Sequence, residues 1–183
     1  MVMPSDHWAL LVADAAIRRA TQDDLDHAAS VLEDAASWVQ SIGQEAWSEG
    51  TFTRPDGWGR RALEAALAIG GLFVATIDGV AVAKVSLFDV DERFWPGAPH
   101  DALYLHKLGV RRSHAGLGIG GAIVEWTAEY ARTEGKEFVR LDCPAGNPRV
   151  RAYYEAAGFV HRGDVVVGER RFHAALYERP LRD

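Results

Sequence analysis

The chain has 183 residues, 48% of them hydrophobic, which suits one substantial core and is short for two full domains. Its 20 basic residues against 26 acidic ones give a formal charge of -6 with no long basic run, which argues against a nucleic-acid partner but leaves room for a local basic cluster that receives phosphates. The lone Cys143 excludes an intramolecular disulfide framework, no window approaches about 18 consecutive apolar residues, and no cationic leader precedes an apolar run, so a soluble cytoplasmic protein with no membrane partner is expected.

In chain order, residues 1–14 read as a loose leader before a short strand around Ala16 to Arg19. Thr21 offers an N-cap with Asp24 three positions on, and Leu25, Ala28, Ala29, Leu32, Ala36 and Val39 recur at helical spacing. From Gly43 to Gly59 the sequence is irregular; its Trp47, Phe52 and Trp58 either bind substrate or close the edge of a core. Arg60 to Ile69 reads as a short helix ended by Gly70-Gly71. Two β-rich runs then flank Asp78-Gly79, a hairpin signal because both turn positions must tolerate positive φ.

An acidic loop follows, with Asp89, Asp91, Glu92 and Trp95, and then the strand "ALYLHKLGV". The next helix should turn Ile119, Ala122 or Ile123, Trp126 and Tyr130 inward. A whole helix separates that strand from "EFVRLDC", so the two should run parallel. Asn147 caps the following helix with Pro148 in its first turn, Val150, Tyr153 or Tyr154, and Ala157 face inward, and Gly158 stops it. Val160 to Val167 and Phe172 to Tyr177 finish as strands around Gly168. No repeat or linker divides residues 1–183, so a single α/β domain with a mixed sheet is expected.

The stretch "SHAGLGIGGAIVEW" places Gly116, Gly118, Gly120 and Gly121 directly before a helix, where glycine is costly unless bare backbone is needed. A phosphate loop of the G-x-x-x-x-G-K-[ST] form is absent. Gly116, Gly118 and Gly121 fit G-x-G-x-x-G with Glu137 at a workable distance, but a polar stretch and an antiparallel hairpin precede them instead of a tight strand-to-helix turn. Close helix packing is a third reading. The fourth is an anion cradle, in which N–H groups from His114 to Gly120 supply donors at the helix start and Arg111 and Arg112 either neutralise phosphates or sit in solvent.

"YLHKLGVRRSHAGLGIGGAIVEW" followed by "FVRLDCPAGNPRVRAYYEAAGF" resembles the two central motifs of the GNAT superfamily of acyl-CoA-dependent N-acyltransferases. In that family's pyrophosphate-binding pattern, (Gln or Arg)-x-x-Gly-x-(Gly or Ala), Gly118 and Gly120 match and Ala115 departs, removing one side chain while leaving the backbone donors. Asn147, Tyr154, Gly158 and Phe159 match the family's second motif. The resemblance covers about Tyr104 to Phe159. It implies an α/β (α+β) fold with a mixed, mostly antiparallel central sheet, a splayed parallel strand pair and flanking helices. It also implies transfer of an acetyl group from acetyl-CoA to a primary amine on a small molecule or peptide; the sequence itself leaves monomer and homodimer open.

Carried over residue by residue, the resemblance gives Leu108, Gly109 and Val110 backbone contacts to the pantetheine arm. It places Arg111, Arg112, His114, Ala115, Gly116, Leu117, Gly118, Ile119 and Gly120 around the diphosphate, with Cys143, Asn147 and Tyr154 also beside the cofactor. Gly109 marks either a bulge, a close approach or a tolerated strand glycine. Tyr154 matches the family's general acid, and Tyr153 is the alternative inward residue. His106 is the nearest candidate base for an ammonium acceptor, or else a sheet histidine sharing a face with Tyr104 and Leu108. Asp89, Asp91, Glu92 and Trp95 either attract a cationic amine or form a solvated loop. Cys143 reads more readily as a small buried hydrophobe than as a nucleophile, and the histidine spacings suggest no metal. The competing functions are a noncatalytic acyl-CoA sensor and a nicotinamide-dependent oxidoreductase.

Overall fold

The computed structural model describes residues 9–10, 12, 14–43, 47–169 and 171–181. The architecture is the expected α/β class, with a mixed, mostly antiparallel sheet and flanking helices. The chain falls into two compact units: residues 1–87 with 107–123, and residues 88–106 with 124–183.

In the first unit, strands β1 (Ala9–Leu10), β2 (Ala16–Arg19), β3 (Leu72–Ile77) and β4 (Val80–Phe88, whose last residue belongs to the second unit) form an antiparallel meander. β1 corrects part of the leader reading: Ala9 pairs with Ile17 and Leu10 with Ala16. Main-chain pairing of so short a strand leaves no side-chain period to read. Residues 1–8, 11 and 13 of that expected leader lie outside the described residues. The β3–β4 turn is as expected, with φ of 49° at Asp78 and 79° at Gly79.

Helix α1 (Leu25–Ser41) buries Leu25, Ala28, Ala29, Val31, Leu32 and Ala36. Ahead of it, the Asp24 carboxylate accepts from the Thr21 N–H at 2.7 Å and its hydroxyl at 2.9 Å, and pairs with Arg18 of β2 through both guanidinium ends. The capping residues read from sequence therefore also tie the helix start to the sheet. Helix α2 (Trp58–Ala68) begins two residues earlier than expected. In the preceding loop, Glu33 of α1 accepts N–H bonds from Gly50 (3.0 Å) and Phe52 (2.7 Å), and Phe52 is fully buried with the Trp47 ring edge-on at 5.0 Å. Phe52 thus closes a core edge, whereas Trp58 is 45% exposed.

In the second unit, residues 102–105 of β5 (Ala102–Val110) run parallel to β6 (Phe138–Pro144), and pairing stops at Leu105 with Leu141. β6 continues against the antiparallel β8 (Phe172–Pro180) as far as Pro144 with Ala174, and β8 pairs with β7 (Val160–Val167). Arg140 of β6 sits in a ring of Phe138, Trp95 and Tyr104 and donates to Glu178 (2.7 Å), Asp101 (2.9 Å) and the Tyr104 hydroxyl (3.1 Å). Its charge is buried but fully compensated.

Helix α3 (Ile119–Thr133) begins in the first unit and continues in the second. Its buried residues are Ile119, Ile123, Val124, Thr127, Ala128 and Ala131. The expectation that Trp126 and Tyr130 fill its inner face is corrected: they are half-buried and stack on each other at 5.3 Å and 15°. An aromatic pair spaced i,i+4 can cover its own surface on a helix flank, leaving the narrow inner stripe to smaller residues.

Candidate functional site

The glycine segment opens with Arg112–His114 in a 3-10 turn closed by N–H bonds from His114 to Arg111 O (2.9 Å) and from Ala115 to Arg112 O (3.2 Å). These two donors are spent internally, which corrects the expectation that the free set begins at His114. Among the described residues, the N–H groups of Gly116, Leu117, Gly118 and Ile119 take no main-chain acceptor, as the start of a helix dictates. Gly116 and Gly118 have φ of 84° and 81°, left-handed values that glycine adopts without strain. Close packing does not account for Gly116, Gly118 or Gly121. A Cβ at Gly116 or Gly121 would meet no described atom within 4 Å, and one at Gly118 only Val12 at 3.8 Å.

The flanking arginines are anchored rather than loose. Arg111 donates to Ala81 O at 2.8 Å and to the Ser30 hydroxyl at 3.2 Å. Arg112 lies over the Trp38 ring at 4.7 Å, its N–H held by Asp34 at 2.6 Å, and stays exposed. His114 shares a 2.8 Å contact with the Ser113 hydroxyl. Gly109 is explained by packing, since a Cβ there would stand 2.9 Å from Leu32 of α1. The left-handed residue in β5 is Lys107 at φ 50°, which breaks the alternation assumed from Tyr104 to Leu108.

In the second unit, helix α4 (Pro148–Ala156) starts at Asn147, whose side chain accepts from the Val150 N–H at 3.1 Å. The helix is tied to β8 by Tyr177, whose hydroxyl accepts from Arg151 at 3.0 Å and donates to Glu155 at 2.7 Å. Of the two adjacent tyrosines, Tyr153 is 42% exposed, while Tyr154 turns inward with its ring edge-on to Phe159 at 5.7 Å. Burial, helped by Tyr153, Cys143 and Asp142, raises the Tyr154 phenol well above its ordinary range, so it remains protonated at neutral pH. Cys143 is 3% exposed, and burial with the Asp142 charge pushes its thiol up to about 12.

Around His106 the same unit assembles a cluster that no sequence spacing shows. Asp91 Oδ2 lies 3.1 Å from Nε2 and Asp142 Oδ1 lies 3.4 Å from Nδ1, while Phe88 is edge-on to the ring at 5.5 Å. Burial opposes ionisation of Asp91, but His106 and the N–H groups of Phe94 and Arg93 outweigh it and hold the carboxyl below its usual range. The rest of the acidic loop is engaged elsewhere: Asp89 pairs with Lys136 at 2.9 Å, Glu92 accepts from the Gly97 N–H at 3.2 Å, and Trp95 covers Arg140. Asp142 was missed by the sequence reading. Its position on a strand next to the family's cofactor segment was the one available signal.

The model of the Acetyltransferase (GNAT) family matches residues 32–159. The chain belongs to this family. YesJ of Bacillus subtilis (strain 168), an uncharacterized N-acetyltransferase, is 27% identical over 162 residues, covering 86% of this chain and 88% of that protein. Two similar folds are the GNAT acetyltransferase of Listeria monocytogenes 4b F2365 (TM-score 0.73, 18% identity, 95% of this chain and 99% of that one) and yncA of Salmonella typhimurium, solved with its cofactor acetyl-CoA (0.66, 18%, 93% and 96%). GNAT membership sets aside the oxidoreductase reading, whose G-x-G-x-x-G match needs a Rossmann βαβ unit around the glycines. It also accounts for the position of the glycine turn, between the strand and helix of the family's first motif.

Proposed function

We propose that this GNAT protein transfers an acetyl group from acetyl-CoA to a primary amine. The observation that carries the reading is the paired left-handed glycines at Gly116 and Gly118, which open the start of α3 where bare N–H donors suit a diphosphate. Acetyl-CoA supplies the acetyl group as a thioester, and its diphosphate is held by the backbone of residues 116–119 with Arg112 beside it. Tyr154, whose phenol is protonated at neutral pH, donates a proton to the departing sulfur. His106 takes the proton that the attacking amine gives up. No group on the chain becomes acylated: the bond to the amine nitrogen forms as the bond to sulfur breaks.

Titration calorimetry with acetyl-CoA, CoA and NADH tests the donor side. Binding of both CoA species with no NADH response is expected, followed by turnover on a panel of amines. Gly118→Val, which adds a branched side chain at a left-handed position, should abolish that binding. Unchanged acetyl-CoA affinity in the folded variant would reject the cradle, and binding without turnover on any amine would favour a sensor.

A further inference from the structure

Asp91, His106 and Asp142 come from three separate segments of the second unit: the loop after β4, the end of the paired part of β5, and β6. One ligand-capable atom from each lies within 4.8 Å of the others. The two oxygens of Asp91 have different duties. Oδ1 accepts from the Arg93 and Phe94 N–H groups at 3.1 and 3.2 Å, which fixes the side chain. Oδ2 is fully buried, and although His106 Nε2 is 3.1 Å away, the contact lacks hydrogen-bond alignment. The Asp91 side chain is only 7% exposed, so this oxygen is shielded from solvent and faces the imidazole.

We propose that the cluster binds a divalent first-row transition-metal ion, held directly by Asp91 Oδ2 and His106 Nε2. Two ligands at about 2.0–2.2 Å from zinc lie roughly 3–3.5 Å apart, and the Oδ2 to Nε2 separation of 3.1 Å falls in that range. The far ring nitrogen faces Asp142 Oδ1 at 3.4 Å, the outer carboxylate that orients a metal-ligating imidazole. Two carboxylates and a neutral imidazole match the charge of a divalent ion. The mixed nitrogen and oxygen set suits zinc or cobalt better than magnesium or calcium, which take oxygen alone. The Phe88 and Phe94 rings, 5.5 and 6.3 Å from the imidazole, keep the surroundings apolar. An ion on Nε2 would occupy a nitrogen of the residue assigned to accept the amine's proton, so zinc inhibits transfer. That consequence rests on the function proposed above, whereas binding of the ion does not.

The test is titration of the metal-free protein with zinc chloride, and with cobalt(II) followed by absorption. One ion per chain at micromolar concentrations is expected. His106→Gln and Asp91→Asn should each weaken binding at least about tenfold, and Asp142→Asn should weaken it by roughly ten- to a hundredfold as an outer carboxylate does. His161→Ala, which removes an exposed pair with Asp164, should leave it unchanged. Because a cluster variant can fail to fold, selective broadening of the His106 ring resonances by stoichiometric cobalt in the unaltered protein provides a second readout. Absence of one-to-one binding, or equal affinity in folded His106→Gln, would overturn the site. Binding without inhibition would uphold the site and reject His106 as the proton acceptor.

Discussion

Cys143 distinguishes direct transfer from a covalent relay. Its thiol is pushed from an ordinary 9.0 up to about 12. A rise of about three units lowers the thiolate fraction near neutral pH by roughly a thousandfold. A more basic thiolate is intrinsically a better nucleophile, which recovers some fifteen- to thirtyfold for a Brønsted slope of about 0.4–0.5. The net effect is labelling about thirty- to sixtyfold slower than an ordinary thiol, before the 3% exposure of the residue adds a further barrier. The assay is the rate of iodoacetamide modification of native protein near pH 8, referenced to glutathione and to the urea-unfolded chain. Mass spectrometry after mixing with acetyl-CoA alone checks for an acetylated cysteine. Native labelling at the glutathione rate would refute the account of Cys143 as a buried, poorly ionised thiol, and an acetyl group on Cys143 that an amine then removes would refute the assignment of direct attack.

Tyr154→Phe removes only a hydroxyl from a ring packed on Phe159, so acetyl-CoA affinity should hold while kcat falls on the order of a hundredfold; undiminished turnover across the amine panel would remove Tyr154 from the proton path. Asp24 is held at about 2 instead of 3.8, chiefly by Arg18 and, against the cost of burial, also by Thr21. A carboxyl lowered on folding contributes stability above its ordinary value that is lost as pH falls toward the folded one. About 1.8 units gives a ceiling near 2.4 kcal/mol, and solvent screening at Arg18 brings it to roughly 1–2. Asp24→Asn should therefore cost about that much in urea unfolding near pH 7 and progressively less toward pH 2, and a gap independent of pH would contradict it. Lys84 is fully buried, donates to Ser86 at 2.7 Å, and is lowered well below its ordinary value by burial and by the Lys107 charge. A lysine lowered on folding lends increasing stability as pH rises toward its ordinary value, so Lys84→Met should flatten that rise in thermal melts, and an unchanged slope would mean the amine stays charged.

The elements with local causes were legible in the sequence. Asp78-Gly79 declares its turn through two positive φ angles, Asn147-Pro148 declares a helix start, and the Thr21 and Asp24 pair declares another. Three kinds of feature were not. The pairing of Ala9–Leu10 depends on main-chain bonds to β2 that leave no period. The left-handed Lys107 has no residue signature, because lysine in that conformation is held by its surroundings and not by preference. At Gly109 the sequence leaves a bulge, a close approach and a tolerated strand glycine open, and the choice falls to packing because the missing Cβ makes room for Leu32, whose place follows only once α1 is packed.

The donor and acceptor halves of the proposed reaction differ in legibility for the same physical reason. In the proposed reaction, diphosphate recognition by residues 116–119 would use N–H groups, so it would depend on backbone conformation and tolerate Ala115 where the family pattern has Gln or Arg. Glycines record such a conformation in the sequence, because few other residues adopt it without strain. The His106 cluster uses side chains that only the fold assembles, from a loop, a strand end and a neighbouring strand. Nothing in the spacing of positions 91, 106 and 142 brings them together. The parallel register that pairs Leu105 with Leu141 brings two of them together by placing the next residues, His106 and Asp142, side by side as pairing ends, and the loop after β4 adds Asp91.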